Sequence, residues 1–373
     1  MVLTMKTLVL HHILDIPGGG ERVSLSIIKA LIERGHDVFV VTTQPLTPRF
    51  RERLKGVKGF FHILPLRLNA FGIYQRFLMM LSKYVSGLEP DVIVNTYGNP
   101  LPILGREKTP YYIYCHFASL AIFKGVVPSK YKGLWSVYGA PYYSLLHSLS
   151  RLTLKSQNVT AIINSHFSAR LFQKVYGVKP VVIYPPVDLE FFSKAFHKGR
   201  REKLIVTISR FTKEKKLENA IKLLTLLPSD VKLAMIGGLT PVNSSYYLSL
   251  TRLARKLGVK DRVVFKPNCP GKELLEILSK ASVFLHTMPY EHFGVAIVEA
   301  MAAGLIPVVH DSGGPREFVP SRYRYKSLEE AAEIIMSSLN AKLEEREKVA
   351  RIAERFSEDR FKEEVVKVIE SGA

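Results

Sequence analysis

The sequence predicts an α/β protein made of two doubly wound domains in tandem, and three observations lead to this fold class. Short apolar segments of strand length alternate with segments of helix length along most of the chain, which is the pattern of a parallel sheet covered by helices. The alternation pauses once, at Pro185 and Pro186, and then starts again. A chain of 373 residues is also longer than one hydrophobic core usually supports.

The first series begins with an apolar strand at residues 7–12, a glycine-rich loop at 18–20 and an amphipathic helix with apolar residues every three or four positions. Its further predicted strands are residues 37–43, 91–96, 111–116, 161–165 and 181–186. Helix-length segments separate most of these strands. We therefore predict a Rossmann-like N-terminal domain over residues 1–186.

The second series shows the same alternation after the proline pair. Its predicted strands are residues 204–209, 231–238, 262–265, 283–287 and 306–310. Its predicted helices include residues 217–227, 245–257, 272–280 and an apolar helix that starts near residue 294. We predict a second Rossmann-like domain over residues 187–357.

The sequence offers no sign of export or of a membrane span. The apolar N-terminal run has one lysine and no small-residue cleavage site, and no window reaches the ~20 apolar residues that cross a bilayer. Cys115 and Cys269 lie far apart without metal-ligand spacing, so we interpret both as reduced core residues. We expect a cytoplasmic protein.

The positive charge is concentrated in one part of the chain. The net charge is +20, and residues 49–187 hold eighteen Lys and Arg against four Asp and Glu. Such a field attracts nucleic acid, an anionic membrane face or phosphorylated substrates. Aromatic and aliphatic residues are interleaved with these charges, as at a membrane interface. A solvated basic surface without a partner is the alternative interpretation.

Residues directly after the predicted strands are the functional candidates, because ligands of doubly wound sheets bind beyond the carboxyl ends of the strands. These candidates are Gly18, Gly19, Gly20, His116, Asn164, Ser165, Arg210, Gly237, Glu291, Gly313 and Gly314. A dinucleotide-binding turn is disfavoured because Gly-x-Gly-x-x-Gly is absent, and Thr42, Thr43 and Gln44 stand where a ribose-binding acid belongs. The three glycines can still bring backbone N–H groups close to a phosphate or a sugar.

Arg210 and Lys215 follow the first strand of the second series and precede a helix. Two cations at that point can clamp a diphosphate through charge-assisted hydrogen bonds. Asp-x-Asp, His-Glu-x-x-His and Walker loops are absent, so we expect no divalent metal to hold the phosphates. The alternative is a solvated charge run, since Lys213, Glu214 and Lys216 are neighbours.

Glu299 is the one charge in an apolar helix, and an unpaired buried carboxylate costs several kcal/mol. One interpretation is an internal ion pair with Arg210 or Lys215. The other is that the hydroxyls of a ribose bind Glu299, while the backbone N–H groups at the helix start face a phosphate or sugar. Glu291 precedes this helix start and is placed to bind hydroxyls of a transferred group.

The segment "EHFGVAIVEAMAAGLIPVVHDSGGPREFV" resembles the Glu-x-Phe-Gly-x-x-x-x-Glu signature of retaining, nucleotide-sugar-dependent glycosyltransferases of family 4, which have the GT-B fold. The three glycines, His116, "NSHFSA", "YPPVD" and "ISRFTKEK" match in the family's order. The resemblance implies two Rossmann-like domains facing a cleft: an acceptor- and membrane-facing domain at 1–186 and a nucleotide-sugar-binding domain at 187–357. It also implies a C-terminal helix, 358–373, that returns to the first domain.

The resemblance also implies roles for single residues. Those expected at the donor diphosphate are Arg210, Lys215, Gly19, Gly20, Gly294 and Val295. Those expected at the donor sugar and ribose are Glu291, Phe293 and Glu299. His116 and Glu291 are expected next to the reacting centre.

The activity implied by the resemblance is retaining, metal-independent transfer of a hexose from a nucleotide-sugar. The "EHFG", "SGGP" and "YPPVD" variants favour mannose from GDP-mannose and a polyprenyl- or dolichyl-linked glycan acceptor, although UDP-sugars use the same motifs. We expect a protein peripheral on the cytoplasmic face of an anionic membrane, without a cofactor and without nucleic acid as partner. Residues 123–155 match no motif. An epimerase of nucleotide-sugars and a basic binding protein are the alternative functions.

Overall fold

The computed structural model describes residues 4–15, 18–64, 66, 78, 87–116, 134–156, 158–197, 199 and 201–372. Contacts between Cα atoms divide the chain into two compact units. Unit 1 comprises Met1–Pro186 together with Glu358–Ala373, and unit 2 comprises Val187–Ser357. Each unit contains its own parallel β-sheet.

Unit 1 has a seven-stranded sheet in the order β3-β2-β1-β4-β5-β6-β7. The strands are β1 (Lys6–His11), β2 (Asp37–Thr42), β3 (Gly59–His62), β4 (Val92–Asn95), β5 (Tyr111–Cys115), β6 (Val159–Ile163) and β7 (Val181–Val182). The helices described within the first 186 residues are α1 (Gly19–Glu33), α2 (Pro48–Glu52), α3 (Leu134–Leu154) and α4 (His166–Tyr176).

Unit 2 has a six-stranded sheet in the order β10-β9-β8-β11-β12-β13. The strands are β8 (Glu202–Ile208), β9 (Lys232–Gly237), β10 (Val263–Pro267), β11 (Ala281–His286), β12 (Ile306–His310) and β13 (Arg324–Tyr325). The helices are α5 (Leu189–Ser193), α6 (Glu218–Leu224), α7 (Ser244–Lys256), α8 (Gly271–Lys280), α9 (Val295–Ala302), α10 (Leu328–Ser338) and α11 (Leu343–Ala353).

The two sheets confirm the predicted α/β class with doubly wound topology. In each, the strand order reverses next to the first strand of the unit, between β1 and β4 and between β8 and β11. Such reversal points leave a crevice at the carboxyl ends of the strands, where ligands bind in this architecture. The candidates that follow β1, β8 and β11 therefore lie at the expected edge of each sheet.

Some elements differ from the sequence prediction. Strand β3 was not predicted, because its four residues are all only partly buried and too few to show a period. Within the unassigned segment 123–155, residues 134–154 form α3, whereas residues 123–133 lie outside the described residues. No helix in the described part of the chain has the length and apolar character to cross a bilayer. Cys115 is buried as predicted, but Cys269 is only partly buried and is not a core residue.

The last helix, α12 (Glu358–Glu370), packs in unit 1. Its buried face contributes Phe361, Val365 and Ile369 to the core that also contains apolar residues of α1. The Tyr112 hydroxyl donates a 2.9 Å hydrogen bond to the Ile369 carbonyl. Apolar residues at helical spacing give this helix one apolar face, and that face holds the helix against the core of unit 1.

Phe361→Ala is expected to lower the free energy of unfolding by about 3–5 kcal/mol, because it removes a fully packed ring and leaves a cavity. Phe361 is 2% exposed, and its ring centroid lies 6.0 Å from that of Tyr114. Denaturant unfolding measures the change. Lys367→Ala on the exposed face of the same helix is the control and should change the free energy by less than about 0.5 kcal/mol. Equal effects of the two substitutions would contradict the packing of α12.

Candidate active site

The centre of the unit 2 site is a largely buried ion pair formed by Lys215 and Glu291. Lys215 Nζ donates to Glu291 Oε2 at 2.6 Å, and the two side chains are 18% and 11% exposed. His286, the last residue of β11, places Nε2 3.1 Å from the same oxygen. Since an ionised carboxylate only accepts, that nitrogen carries the proton. The other carboxylate oxygen accepts the backbone N–H of His292 at 3.0 Å.

These partners determine the protonation state of Glu291. Burial would by itself raise the pKa of its carboxyl, but the charge of Lys215 and the hydrogen bond from His286 outweigh burial and hold that pKa well below its usual range. The carboxylate is therefore ionised at neutral pH. It can accept hydrogen bonds, and it has no proton to donate as a general acid.

The backbone around Glu291 is fixed by glycines. Gly313 has a φ of 78°, and a Cβ there would lie 2.3 Å from the Glu291 carbonyl oxygen. The next glycine, Gly314, donates its N–H to that carbonyl at 2.8 Å. Gly294 begins the turn into α9 with a φ of 95°, which a residue with a Cβ adopts only under strain. The "SGGP" and "FG" motifs thus hold the loop that carries Glu291.

Lys215 lies in a 3₁₀ turn, Lys213–Lys215, that is tied to the same strand end. The Thr287 hydroxyl donates to the Lys215 carbonyl at 2.7 Å. Arg210, the other predicted clamp residue, instead has a largely exposed side chain that forms an ion pair with Glu214 at 3.3 Å. Exposed pairs of this kind contribute about 0–1 kcal/mol, so Arg210 is free to exchange this partner for a ligand at little cost.

Helix α9 carries the remaining predicted residues of unit 2. Glu299 is 7% exposed within it, and Val295 is its first residue. The Phe293 ring is buried between the rings of Phe318 and Phe356, at centroid distances of 5.1 and 5.2 Å. Phe293 can therefore serve a ligand only through its backbone. The N–H groups of the first turn of α9 form the positive end of the helix dipole.

The stability contributed by Glu291 should depend on pH in a defined direction. Because its pKa is lower in the folded protein than the ordinary 4.5, this stability is present above pH 4.5 and is lost as the pH falls through the folded pKa. We expect Glu291→Gln to lower the melting temperature at pH 7 and the difference from wild type to shrink below about pH 4.5. A difference that grows on acidification would contradict the ion pair.

In unit 1, His116 follows β5 and lies against Gly20. A Cβ at Gly20 would be 3.2 Å from His116 Nε2, whereas nothing lies within 4 Å of a Cβ at Gly19. His116 Nε2 donates to the Thr96 carbonyl at 3.0 Å, and Asn164 Nδ2 donates to the His116 carbonyl at 2.8 Å. The structure thus brings the predicted residue Gly20, in the first turn of α1 after β1, against the predicted residue His116, which follows β5.

A second histidine, His11, lies in the same unit and was not identified from the sequence. The hydroxyls of Ser24 and Thr96 donate to the carbonyls of Gly20 and Leu10, each at 3.0 Å. Both hydroxyl oxygens lie within 2.9 Å of His11 Nδ1. They must therefore accept from this nitrogen, which carries a proton.

Glu21 faces the other ring nitrogen of His11, with its Oε1 3.9 Å from Nε2. Burial would raise the pKa of Glu21, but the nearby imidazole of His11 and, more weakly, that of His116 give a net lowering. A carboxylate that is ionised in this position supplies negative charge beside both histidines.

The sequence missed His286, Thr287, His11 and Glu21 as members of these groups. The one available signal was position, since His11 and His286 are each the last residue of a strand at a reversal point. Within the described ranges, no three His, Cys, Asp or Glu side chains lie together as metal ligands would.

Family profiles match both units. Residues 17–191 match the profile "Glycosyltransferase Family 4", and residues 188–356 match "Glycosyl transferases group 1". The chain is 30% identical over 248 residues to "GDP-Man:Man(3)GlcNAc(2)-PP-Dol alpha-1,2-mannosyltransferase" of Dictyostelium discoideum, a match that covers 61% of this chain and 48% of that protein. The Homo sapiens protein of the same name is 27% identical, with 94% of this chain and 84% of that protein covered.

Solved structures show the same fold. Anabaena Alr3699/HepE in complex with UDP and glucose superposes with a TM-score of 0.72 at 18% identity, covering 98% of this chain and 100% of that chain. WaaG, a glycosyltransferase involved in lipopolysaccharide biosynthesis, gives a TM-score of 0.69 at 17% identity, covering 97% and 99%. With two parallel sheets and family profiles over residues 17–356, this chain belongs to the family 4 and group 1 glycosyltransferases of the GT-B fold.

Proposed function

We propose that this glycosyltransferase moves mannose from GDP-mannose to a polyprenyl- or dolichyl-linked glycan, with retention at the anomeric carbon and without a metal. The observation that carries the proposal is the buried Lys215–Glu291 pair beside the N-terminus of α9. It puts a cation, an ionised carboxylate and the N–H groups of the first turn of α9 at one strand end. The names of the relatives supply the donor and acceptor class.

Donor binding on this proposal is an exchange of partners. Lys215 and Arg210 form ion pairs with Glu291 and Glu214 in the structure, and on donor binding they form ion pairs with the diphosphate instead. Glu291 then accepts hydrogen bonds from hydroxyls of the sugar, while His286 continues to orient it. Glu299 binds the ribose, and the N–H groups of α9 face the phosphate.

The chemical step follows from these positions. The acceptor hydroxyl attacks the anomeric carbon on the face from which the nucleoside diphosphate departs, so the configuration is retained. The bond between carbon and phosphate oxygen breaks, and the departing phosphate takes the proton of the hydroxyl. Lys215, Arg210 and the helix N-terminus stabilise the negative charge that develops on that oxygen, which makes catalysis mainly electrostatic. No side chain acts as nucleophile.

Unit 1 serves the acceptor side in this proposal. Gly20 leaves room beside His116, and His116 is held by Thr96 with a fixed ring orientation. The positive charge of residues 49–187 favours docking on the cytoplasmic face of an anionic membrane, where a lipid-linked acceptor is available.

A donor screen by thermal denaturation tests the proposal. GDP-mannose should raise the melting temperature more than UDP-glucose or UDP-galactose, because a ligand at ~100 times its dissociation constant stabilises the protein by about 2.7 kcal/mol. The same shift should appear with EDTA present. Stabilisation by a UDP-sugar alone would overturn the donor assignment, and a shift that disappears with EDTA would overturn the metal-free account.

A further inference from the structure

A second polar cavity lies in unit 2, away from the site described above. Its volume is about 350 Å³, and its polar lining comes from Arg201, Ser282, Ser338, Asn340 and Arg346. Ser282 is at the amino end of β11, whereas Glu291 follows the carboxyl end of that strand. A six-residue strand is about 20 Å long, so the two sites are at opposite edges of the sheet.

The guanidinium group of Arg201 binds backbone carbonyls at helix ends. Its Nη1 donates to the carbonyls of Leu278 and Ala281 at 2.7 Å each. Its Nη2 donates to Ala303 at 2.6 Å and to Ala195 at 3.4 Å. The buried Nε has no hydrogen-bond partner among the described residues. Both terminal nitrogens of Arg201 are thus used by carbonyls, and its Nε–H, inside the protein, is left unsatisfied by the part of the chain that the structure describes.

Arg346 lies beside Arg201 and also donates to backbone carbonyls, one of which belongs to Gly304, the residue after Ala303. Its Nε donates to Gly304 at 3.2 Å, and its Nη1 and Nη2 donate to Gly199 at 3.2 Å and His197 at 2.6 Å. The residue is 6% exposed. Each terminal nitrogen has a second hydrogen, so further donors remain for a ligand.

Arg201, which is partly buried, and Arg346, which is buried, lack a carboxylate counter-charge within the described residues. The hydrogen bonds of both guanidinium groups described above go to backbone carbonyls, and no acidic group influences the pKa of either arginine. Burial and the neighbouring Arg346 lower the pKa of Arg201 to about 9. The carboxyl ends of α8 and α9 supply about half a negative charge each, against two positive charges. The two helix ends therefore balance about half of the positive charge of the two arginines.

We propose that this cavity is a binding site for a phosphate group, free or carried by a small metabolite. Two neighbouring guanidinium groups, of which Arg346 has spare N–H donors, suit a phosphate because its oxygens are negatively charged and accept several hydrogen bonds at once. Ser282, Ser338 and Asn340 add hydroxyl and amide groups. The volume is at the lower end of the range for small-molecule sites and exceeds what a bare ion needs.

Asn340→Asp is the test variant, because it places a carboxylate at the exposed rim of the cavity without removing either arginine. Binding of inorganic phosphate and of mannose 6-phosphate to the full chain is measured by calorimetry at constant ionic strength. We expect Asn340→Asp to weaken both at least tenfold. Ser249→Asp, on the exposed face of α7, changes the net charge equally and should bind like wild type.

Lys215→Met separates this site from the donor site and should leave the affinity for phosphate unchanged. Tighter binding of mannose 6-phosphate than of inorganic phosphate identifies a metabolite as the ligand, and equal binding identifies free phosphate. Unchanged affinity in Asn340→Asp, equal weakening in Ser249→Asp, or loss of binding in Lys215→Met would each overturn the proposal.

Discussion

Glu291→Gln is expected to reduce kcat/KM for mannosyl transfer by about 100-fold or more. The substitution keeps the shape of the side chain but removes the charge that accepts from Lys215, His286 and, in our proposal, the sugar hydroxyls. Each hydrogen bond to a charged group contributes about 1.5–3 kcal/mol, and 1.36 kcal/mol in the barrier corresponds to tenfold in rate. Initial rates with saturating acceptor measure the effect.

The control for this substitution is Glu273→Gln. Glu273 also forms a 2.6 Å ion pair with a lysine, Lys266, but both partners are more than a third exposed. Its replacement should leave kcat/KM within about twofold of wild type. An equally active Glu291→Gln enzyme would show that Glu291 only supports the loop.

Lys215→Met should weaken binding of nucleoside diphosphate by about 10- to 100-fold, since it removes one charge-assisted hydrogen bond to the phosphate. It should also destabilise the protein, by up to about 3–5 kcal/mol, because removing one partner of a largely buried ion pair leaves the other charge uncompensated. Calorimetry measures the affinity, and denaturant unfolding measures the stability.

Two variants separate the binding role from the structural role. Lys266→Met breaks an exposed pair of the same length and should change neither quantity by much. The double variant Lys215→Met/Glu291→Gln removes both buried charges and should recover part of the stability but none of the affinity. Recovery of nucleotide binding in the double variant would refute contact between Lys215 and the phosphate.

Most of the fold was predictable because apolar runs repeat along the chain. Strands such as β1, β8 and β11 each contain an uninterrupted apolar run of three residues, and α9 is recognisable because seven of its eight residues are uncharged. Strand β3 was not predicted because its four half-buried residues show no alternation of apolar and polar side chains. The parallel, doubly wound arrangement followed from the alternation of strands and helices along the chain.

The site was less predictable because its contacts join residues far apart in sequence. The sequence indicated that Glu299 needed a partner and left Arg210, Lys215 and the hydroxyls of a ribose as options, but it did not indicate which carboxylate binds Lys215. The structure pairs Lys215 with Glu291, 76 positions away. His286 was hidden within a strand of apolar residues, and Ser24 and Thr96 are residue types that occur everywhere. Only their shared contact with His11 distinguishes Ser24 and Thr96 from other residues of the same types.

The most direct measurement of the central claim is the anomeric configuration of the product. Wild-type protein is incubated with GDP-mannose and a short polyprenyl-diphosphate-linked glycan in EDTA, and the released oligosaccharide is analysed by NMR. The account predicts a new α-linked mannose, with GDP formed only when the acceptor is present. A β-linked product, a requirement for divalent metal, or conversion of GDP-mannose to another nucleotide-sugar without acceptor would contradict it.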